Sequence, residues 1–209
     1  MKELLMINSS PNGPSSPAYQ LAVEMVDGLH QSHPGIIITS RDLVAEPLTP
    51  ISDVYAKAML EGHSADVPAF EQSERLIAEL ERSDALLIIT PIHNFTLPAA
   101  LKLWIDNVVR ARRTFGRGPN GKVGLLRDRP TYILISSGGV HRGPEANQPD
   151  FITIIMRCVL NTIGLQDLHF IYLQGMAFGP HAVLAAMEDA RRQIKDVPLF
   201  FTSEAMSDE

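Results

Sequence analysis

The sequence predicts an α/β fold, a doubly wound parallel sheet with helices on both of its faces. Short apolar runs rich in branched residues recur along the chain, and longer stretches with helical spacing separate them. Strands buried on both faces are apolar throughout, so this alternation is typical of a parallel sheet covered by helices. The predicted strands are Leu4–Asn8, Ile36–Asp42, Ala85–Thr90, Thr131–Ser136 and His169–Leu173.

Helix signals lie between the predicted strands. After the first strand, Ser16 is a candidate N-cap, and Pro17 stands at the first helical position, where a missing N–H does no harm. After the third strand, Pro98 suits a helix start, and Trp104 lies on the apolar face that follows, so it is expected in the core. Prolines and a glycine interrupt residues 46–68, which receive no assignment. Further helices are predicted at Phe70–Arg82, Pro149–Asn161 and Pro180–Ile194.

The order of the elements indicates where a ligand binds. Five strands joined by right-handed helical crossovers have a common arrangement, the flavodoxin-like strand order 2-1-3-4-5. In that arrangement, ligands bind outside the carboxyl ends of the strands, at the switch point beside the first and third strands. The loops after the first, third and fourth strands are therefore expected to carry the function. The 209 residues fit a single domain, 1–209.

The composition argues against nucleic acid and membranes as partners. The formal net charge is -6, and the Arg112-Arg113 pair is the longest basic run, so no surface suited to phosphate backbones is expected. No apolar stretch approaches the roughly 20 residues of a membrane helix, and no export signal precedes the first strand. We therefore expect a soluble, cytoplasmic protein. The one cysteine, Cys158, lies in the apolar run Phe151–Leu160 and is expected to be buried and inert.

The first loop, residues 8–16, has the composition of a phosphate site. It supplies hydroxyls, among them Ser10 and Ser16, just before a helix. Four N–H groups at a helix N-terminus lack partners, and the helix dipole favours negative charge there. The spacing matches neither a triphosphate-binding loop nor a dinucleotide fingerprint, so a monophosphate ester fits best. An ordinary turn is the alternative interpretation of this loop taken alone.

The second and third loops could surround a flavin ring. They are Thr90–Pro98 and Ser136–His141. A flavin needs backbone donors where charge accumulates on reduction, and it needs glycines where the backbone comes close. Taken separately, each loop also fits a simpler interpretation: Gly138-Gly139 as a turn, and His93 and Asn94 as side chains that satisfy local backbone groups.

Together the loops resemble one known family. The cues are Ser9-Ser10 after the first strand, Pro91–Phe95 where the family shows a Pro-Met-Tyr-Asn-Phe type motif, and Ser136–His141 where it shows Ser-Arg-Gly-Gly and a following His. The likeness continues through Gln174–Pro180, so it spans nearly the whole chain. On these motifs the sequence resembles the FMN-dependent NADH-azoreductases, also described as FMN-dependent NADH:quinone oxidoreductases.

The resemblance implies an activity and a set of cofactor contacts. It implies that two electrons pass from NADH or NADPH to quinones or azo compounds by a ping-pong mechanism, and that the protein is a homodimer with its active site at the subunit interface. Ser10 and Ser16 would hold the FMN phosphate, and the other two loops would line the flavin. The implied flavin-lining residues are Ile92, His93, Asn94, Phe95, Ser136, Ser137, Gly138 and Gly139.

His141 is the candidate catalytic residue. Histidine is the one side chain that changes charge near neutral pH without a shift in its pKa, so His141 could supply a proton or stabilise charge near the flavin. A histidine that only hydrogen-bonds its own loop is the alternative.

The sequence departs from the family pattern at several positions. Pro17 and Ala18 stand where the family often has Gln and Ser, so one phosphate-binding hydroxyl is missing. His93 replaces a typical Tyr, and Thr162 stands where the family often places a Phe that covers the flavin. These departures bear on the substrate range more than on the cofactor.

A basic loop follows the helix after the second of the three loops. Arg110, Arg112, Arg113 and Arg117 form the densest positive segment, which is predicted to attract anionic substrates; a solvated patch is the alternative.

Two other functions are possible interpretations of the sequence. A flavodoxin-type electron carrier would bind FMN and interact with protein partners, but the chain length and the basic loop argue against it. A hydrolase that uses Ser10 or His141 is the other alternative, but the sequence contains no Gly-x-Ser-x-Gly elbow and no identifiable acidic third member of a catalytic triad.

Overall fold

The computed structural model describes residues 1–62, 67–119, 121–195, 197 and 199. These residues form a five-stranded parallel sheet and a separate two-stranded antiparallel hairpin. The strands are β1 Glu3–Asn8, β2 Ile37–Asp42, β3 Ala85–Pro91, β4 Phe115–Gly118, β5 Gly121–Gly124, β6 Thr131–Ser136 and β7 Leu168–Leu173. The large sheet has the order β2-β1-β3-β6-β7, which is the predicted order because β4 and β5 belong to the hairpin.

In the described part of the chain, five α-helices lie between these strands and a sixth follows β7. The predicted helices are confirmed, with ends that differ from the prediction by at most two residues. One helix was missed, although its signals are in the sequence: the Ser52 hydroxyl accepts the N–H of Tyr55 at 3.1 Å, and Gly62 ends the helix with φ 73°. The helices are α1 Pro17–Ser32, α2 Asp53–Glu61, α3 Glu71–Arg82, α4 Ala99–Val108, α5 Phe151–Ile163 and α6 Pro180–Lys195.

The helices cover the sheet on both faces. On β1, Leu4 and Met6 point to the face that α1 and α6 cover, while Leu5 and Ile7 point to the face that α3, α4 and α5 cover. Trp104 is fully buried on the second face, as predicted. Because the five strands are parallel, their carboxyl ends lie together at one edge of the sheet.

One prediction about the core is wrong. Cys158 is exposed, because α5 turns Ile152, Met156 and Leu160 inward at a spacing of four residues and so places Cys158 on the opposite side. None of the helices in the described part of the chain combines the length and the apolar character needed to cross a membrane.

Candidate functional site

The three predicted loops meet at one edge of the sheet. The first is joined to β3, because the N–H of Ser9 donates to the carbonyl oxygen of Ile89 at 2.9 Å. The second is joined to the third, because the N–H of Ile92 donates to the carbonyl oxygen of Ser136 at 2.8 Å. The arrangement places the loops at the switch point where the strand order reverses, as the sequence predicted.

The first loop is shaped by Asn8, a residue that the sequence analysis did not single out. Its side chain is 1% exposed. Nδ2 donates to Oδ2 of Asp42 at 2.9 Å, and Oδ1 accepts the N–H of Ser10 at 3.0 Å. The amide therefore links the end of β2 to the start of the loop and orients the backbone at Ser10.

Asp42 is held as a carboxylate in this arrangement. Partial burial alone would raise its pKa, but hydrogen bonds from the backbone of Ala45, the Asn8 amide and the backbone of Val44 outweigh burial and hold the pKa of Asp42 below its usual range. The charged form accepts all three donors. Asp42 therefore anchors Asn8 at neutral pH.

The hydroxyls of Ser10 and Ser16 have no hydrogen-bond partner among the described residues. Both residues are nearly buried, with relative exposures of 2% and 3%. Ser16 occupies the N-cap position of α1, but its side chain makes no capping bond. The N–H groups of Ala18 and Tyr19 also lack an acceptor in the described structure. These donors are the ones that an anion at a helix N-terminus requires.

The second loop contains a strained two-residue turn. His93 and Thr96 exchange both backbone hydrogen bonds, at 2.9 and 3.0 Å, which closes the turn around Asn94 and Phe95. These two have φ of 48° and 69°, a conformation that costs an L-residue about 1–2 kcal/mol. Phe95 is 50% exposed, so core packing does not explain its position. Strained exposed turns of this kind cluster at functional sites.

The glycines of the third loop allow close packing. A Cβ on Gly138 would lie 3.1 Å from Cβ of Ala177, and one on Gly139 would lie 2.6 Å from Oε1 of Gln148. The Ser137 hydroxyl donates to the carbonyl oxygen of Gly139 at 2.8 Å. Packing against Ala177 thus gives a reason for Gly138, whereas the end of the flexible Gln148 side chain could move aside for a Cβ at Gly139. The N–H groups of Gly138 and Gly139 have no acceptor among the described residues.

His141 is fixed in its loop. Its backbone N–H donates to Oε1 of Gln174 at 3.0 Å, and Nδ1 lies 2.8 Å from the carbonyl oxygen of Pro149. A carbonyl oxygen can only accept a hydrogen bond, so Nδ1 carries the hydrogen, and in the neutral ring Nε2 is unprotonated. Nε2 has no partner among the described residues. No bond joins His141 to Ser10 in the described structure, so the pair that a hydrolase needs is not formed.

A polar cluster missed by the sequence analysis lies beyond the third loop, at the start of α5. The Tyr172 hydroxyl donates to Oδ1 of Asp150 at 2.7 Å and lies 2.6 Å from Oγ1 of Thr153. Burial raises the pKa of Tyr172 well above its usual range, so the phenol stays protonated and can donate. Arg142 lies over the Tyr172 ring, 5.3 Å from its centroid. The cluster joins the start of α5 to β7.

The basic loop divides into two pairs of arginines. Arg110 is 3% exposed and pairs with Glu74, and Arg113 pairs with Glu74 at 2.9 Å and with Glu81 at 2.6 Å. These two guanidinium groups attach the loop to α3 and are not available to substrates, so the prediction is wrong for them. The loop's other two arginines form no ion pair with any described residue.

The sequence matches a family and named relatives. The profile of the flavodoxin-like fold family matches residues 2–197. A Pseudomonas fluorescens protein named FMN-dependent NADH:quinone oxidoreductase 4 is 57% identical over 96% of this chain and 97% of its own length. A Burkholderia lata protein named FMN-dependent NADH:quinone oxidoreductase 5 is 48% identical over 85% of this chain and 87% of its own length. The chain belongs to the FMN-dependent NADH:quinone oxidoreductase family.

Solved structures show the same fold for this family member. An azoreductase from Bacillus anthracis superimposes with a TM-score of 0.77 at 22% identity, covering 92% of this chain and 98% of that one. An FMN-dependent NADH-azoreductase from the same species, solved in complex with FMN, gives 0.76 at 21% identity over 92% and 97%. At this identity the likeness establishes the fold alone.

Proposed function

We propose that the protein is an FMN-dependent oxidoreductase that passes two electrons from NADH or NADPH to quinones or azo compounds. The observation that carries the proposal is the pair of hydroxyls on Ser10 and Ser16, two nearly buried residues of the loop leading into α1, because these hydroxyls have no hydrogen-bond partner among the described residues. The names of the relatives, at 57% and 48% identity, support the cofactor and the activity.

The first loop fits a monophosphate. Ser10 and Ser16 would donate their hydroxyls, and the N–H groups of Ala18 and Tyr19 would complete the contact with the phosphate. One helix N-terminus offers donors for one phosphate, which favours FMN over a dinucleotide. Asn8 would orient the loop without touching the phosphate.

The second and third loops fit the edges of a flavin ring. The N–H groups of Asn94 and Phe95 make no hydrogen bond with any described residue, so the strained turn offers two free donors. Gly138 and Gly139 offer two more. When bound, FMN would accept two electrons from NAD(P)H and deliver them to the acceptor. The residues proposed to line the ring are Ile92, His93, Asn94, Phe95, Ser136, Ser137, Gly138 and Gly139.

His141 is proposed to stabilise charge or hold a proton at Nε2. Its hydrogen bond through Nδ1 to Pro149 leaves Nε2 without a partner among the described residues, and a protonated ring would donate from that atom. His141→Gln should therefore change the pH profile of kcat. An unchanged profile with an unchanged kcat would assign His141 to the loop alone.

Steady-state kinetics separates the proposed enzyme from an electron carrier. If donor and acceptor use one site in turn, NADH oxidation in the presence of a small quinone should give parallel lines in double-reciprocal plots. A flavodoxin-type carrier would bind FMN but oxidise NADH negligibly. Intersecting lines would contradict the ping-pong mechanism and leave the oxidoreductase assignment in place.

The homodimer and the cytoplasmic location stay predictions. Phe151 and Ile154 support a dimer, because both side chains lie on α5 and are 50% and 65% exposed. Light scattering on the purified protein should give twice the mass of the 23.0 kDa chain. A monomeric mass would contradict the dimer.

A further inference from the structure

A cavity lies against the β4–β5 hairpin. Its volume is about 660 Å³, which suits a small organic molecule, and its walls are mainly apolar. Three of its lining side chains carry positive charge, and none of the described lining residues is a carboxylate. The lining residues are Ala111, Arg112, Phe115, Gly116, Arg117 and Lys122.

The three cations differ from the other basic residues of the segment. Arg110 and Arg113 are neutralised by glutamates of α3. Arg112, Arg117 and Lys122 form no ion pair with any described residue, and all three are exposed. A cavity with three unpaired cations and no acid favours an anionic ligand.

The backbone around Arg112 is fixed. Arg112 has φ 66°, and its N–H donates to the carbonyl oxygen of Phe115 at 2.7 Å. Its guanidinium lies against the C-terminus of α2, where a Cβ on Gly62 would come within 2.6 Å of Nη1. The negative end of the helix dipole steadies this cation without cancelling its charge.

Phe115 gives the cavity an aromatic wall. Lys122 Nζ lies 4.9 Å from the centroid of the Phe115 ring, so a cation and an aromatic face stand side by side. Such a pair can contact an acidic group and a flat ring of one ligand at the same time.

We propose that this cavity binds a small aromatic anion, a ring system that carries a sulfonate, carboxylate or phosphate. The apolar wall at Phe115 would take the ring, and the cations at Arg112, Arg117 and Lys122 would take the acidic group. A sulfonated acceptor and the adenosine phosphate part of NAD(P)H both have this chemistry. The cavity is formed by the hairpin and the residues just before it, and its ligand does not depend on the flavin site being as proposed.

The test is titration calorimetry on the purified protein in saturating FMN, so that the phosphate loop is occupied. The probes are naphthalene-2-sulfonate, its uncharged analogue 2-naphthalenemethanol, and 5′-AMP. The variant Arg112→Gln/Arg117→Gln/Lys122→Gln is compared with Arg127→Gln/Arg192→Gln/Lys195→Gln, which loses the same charge from exposed residues elsewhere. Thermal unfolding of both variants checks that they fold, and the single variant Arg117→Gln is the fallback.

The cavity variant should bind naphthalene-2-sulfonate about tenfold or more weakly than the wild type. The control variant should bind it with the affinity of the wild type. The uncharged analogue should bind weakly to all three proteins. A parallel loss for 5′-AMP would identify the nicotinamide dinucleotide as the ligand, and a loss for the sulfonate alone would identify an anionic acceptor. Equal affinity of the cavity and control variants for both anions would overturn the proposal.

Discussion

The Asn8 amide bridges two neighbouring strands by donating from Nδ2 to Oδ2 of Asp42 at 2.9 Å. The two residues face each other in register at the ends of β1 and β2. Because Oδ1 of the same amide accepts the N–H of Ser10, a three-residue link runs from the sheet into the first loop. The link fixes the backbone beside the proposed phosphate site before any ligand arrives.

Replacing Asn8 should weaken the binding of FMN more than that of riboflavin, which lacks the phosphate. Asn8→Ala leaves the Ser10 N–H and an oxygen of Asp42 without partners, at a cost of about 1–3 kcal/mol in unfolding free energy. We expect FMN to bind about tenfold more weakly, because a loosened loop must be ordered on binding. Fluorescence titration with both flavins measures the ratio. Asn147→Ala, at an exposed asparagine, is the control; an equal loss for FMN and riboflavin would refute the positioning role.

Asp42 should make stability depend on acid pH. The folded pKa of Asp42 lies below the unfolded value, which is about 3.9, so its contribution is present above that pH and is lost as the pH falls through the folded pKa. The difference in unfolding free energy between wild type and Asp42→Asn should thus be constant near neutral pH and shrink below about pH 4. Urea unfolding over a pH series measures it. A difference in unfolding free energy that grows on acidification would contradict the lowered pKa of Asp42.

The two free serine hydroxyls should matter for the phosphate. Each hydrogen bond from a hydroxyl to a phosphate is charge-assisted and contributes about 1.5–3 kcal/mol. Ser10→Ala/Ser16→Ala should lower FMN affinity and leave riboflavin affinity nearly unchanged. Ser32→Ala removes a hydroxyl at the other end of α1 and serves as the control. Unaltered FMN affinity in the double variant would place the phosphate elsewhere.

The conformation of Phe95 should lower the stability of the protein, and its side chain should be needed for activity. Glycine adopts the observed φ of 69° without strain, whereas alanine retains the Cβ that opposes it. Phe95→Gly should therefore be more stable than Phe95→Ala by about 1 kcal/mol in thermal unfolding. Both variants lose the exposed ring, and both should lose quinone reductase activity. Full activity in either variant would leave the strained turn without a functional reason.

Most of the fold could be predicted from the sequence. The inner strands β1, β3 and β6 are apolar on both faces and so stand out as short continuous runs, and Pro17 marks the start of α1. The hairpin β4–β5 could not be predicted, because its strands have four residues each and are rich in glycine and basic residues. Cys158 was misplaced because a run of apolar residues does not reveal which side of a helix faces the core.

The site could be predicted at the level of loops but not of contacts. The strand order alone brings the three loops together, so the placement of Ser10 and Ser16 at this edge of the sheet could be predicted. The role of Asn8 depends on a partner 34 positions away on β2, and the pairing of Arg110 and Arg113 depends on α3. Local sequence carries no record of such long-range partners.

The most direct test of the proposed function is the absorbance spectrum of the purified protein, followed by anaerobic addition of NADH and then of a small quinone. We expect flavin bands that denaturation releases as FMN, bleaching of those bands by NADH, and their return when the quinone is added. A colourless protein that takes up no FMN on reconstitution would contradict the cofactor assignment. Bound FMN that NADH does not bleach would contradict the enzyme and favour an electron carrier.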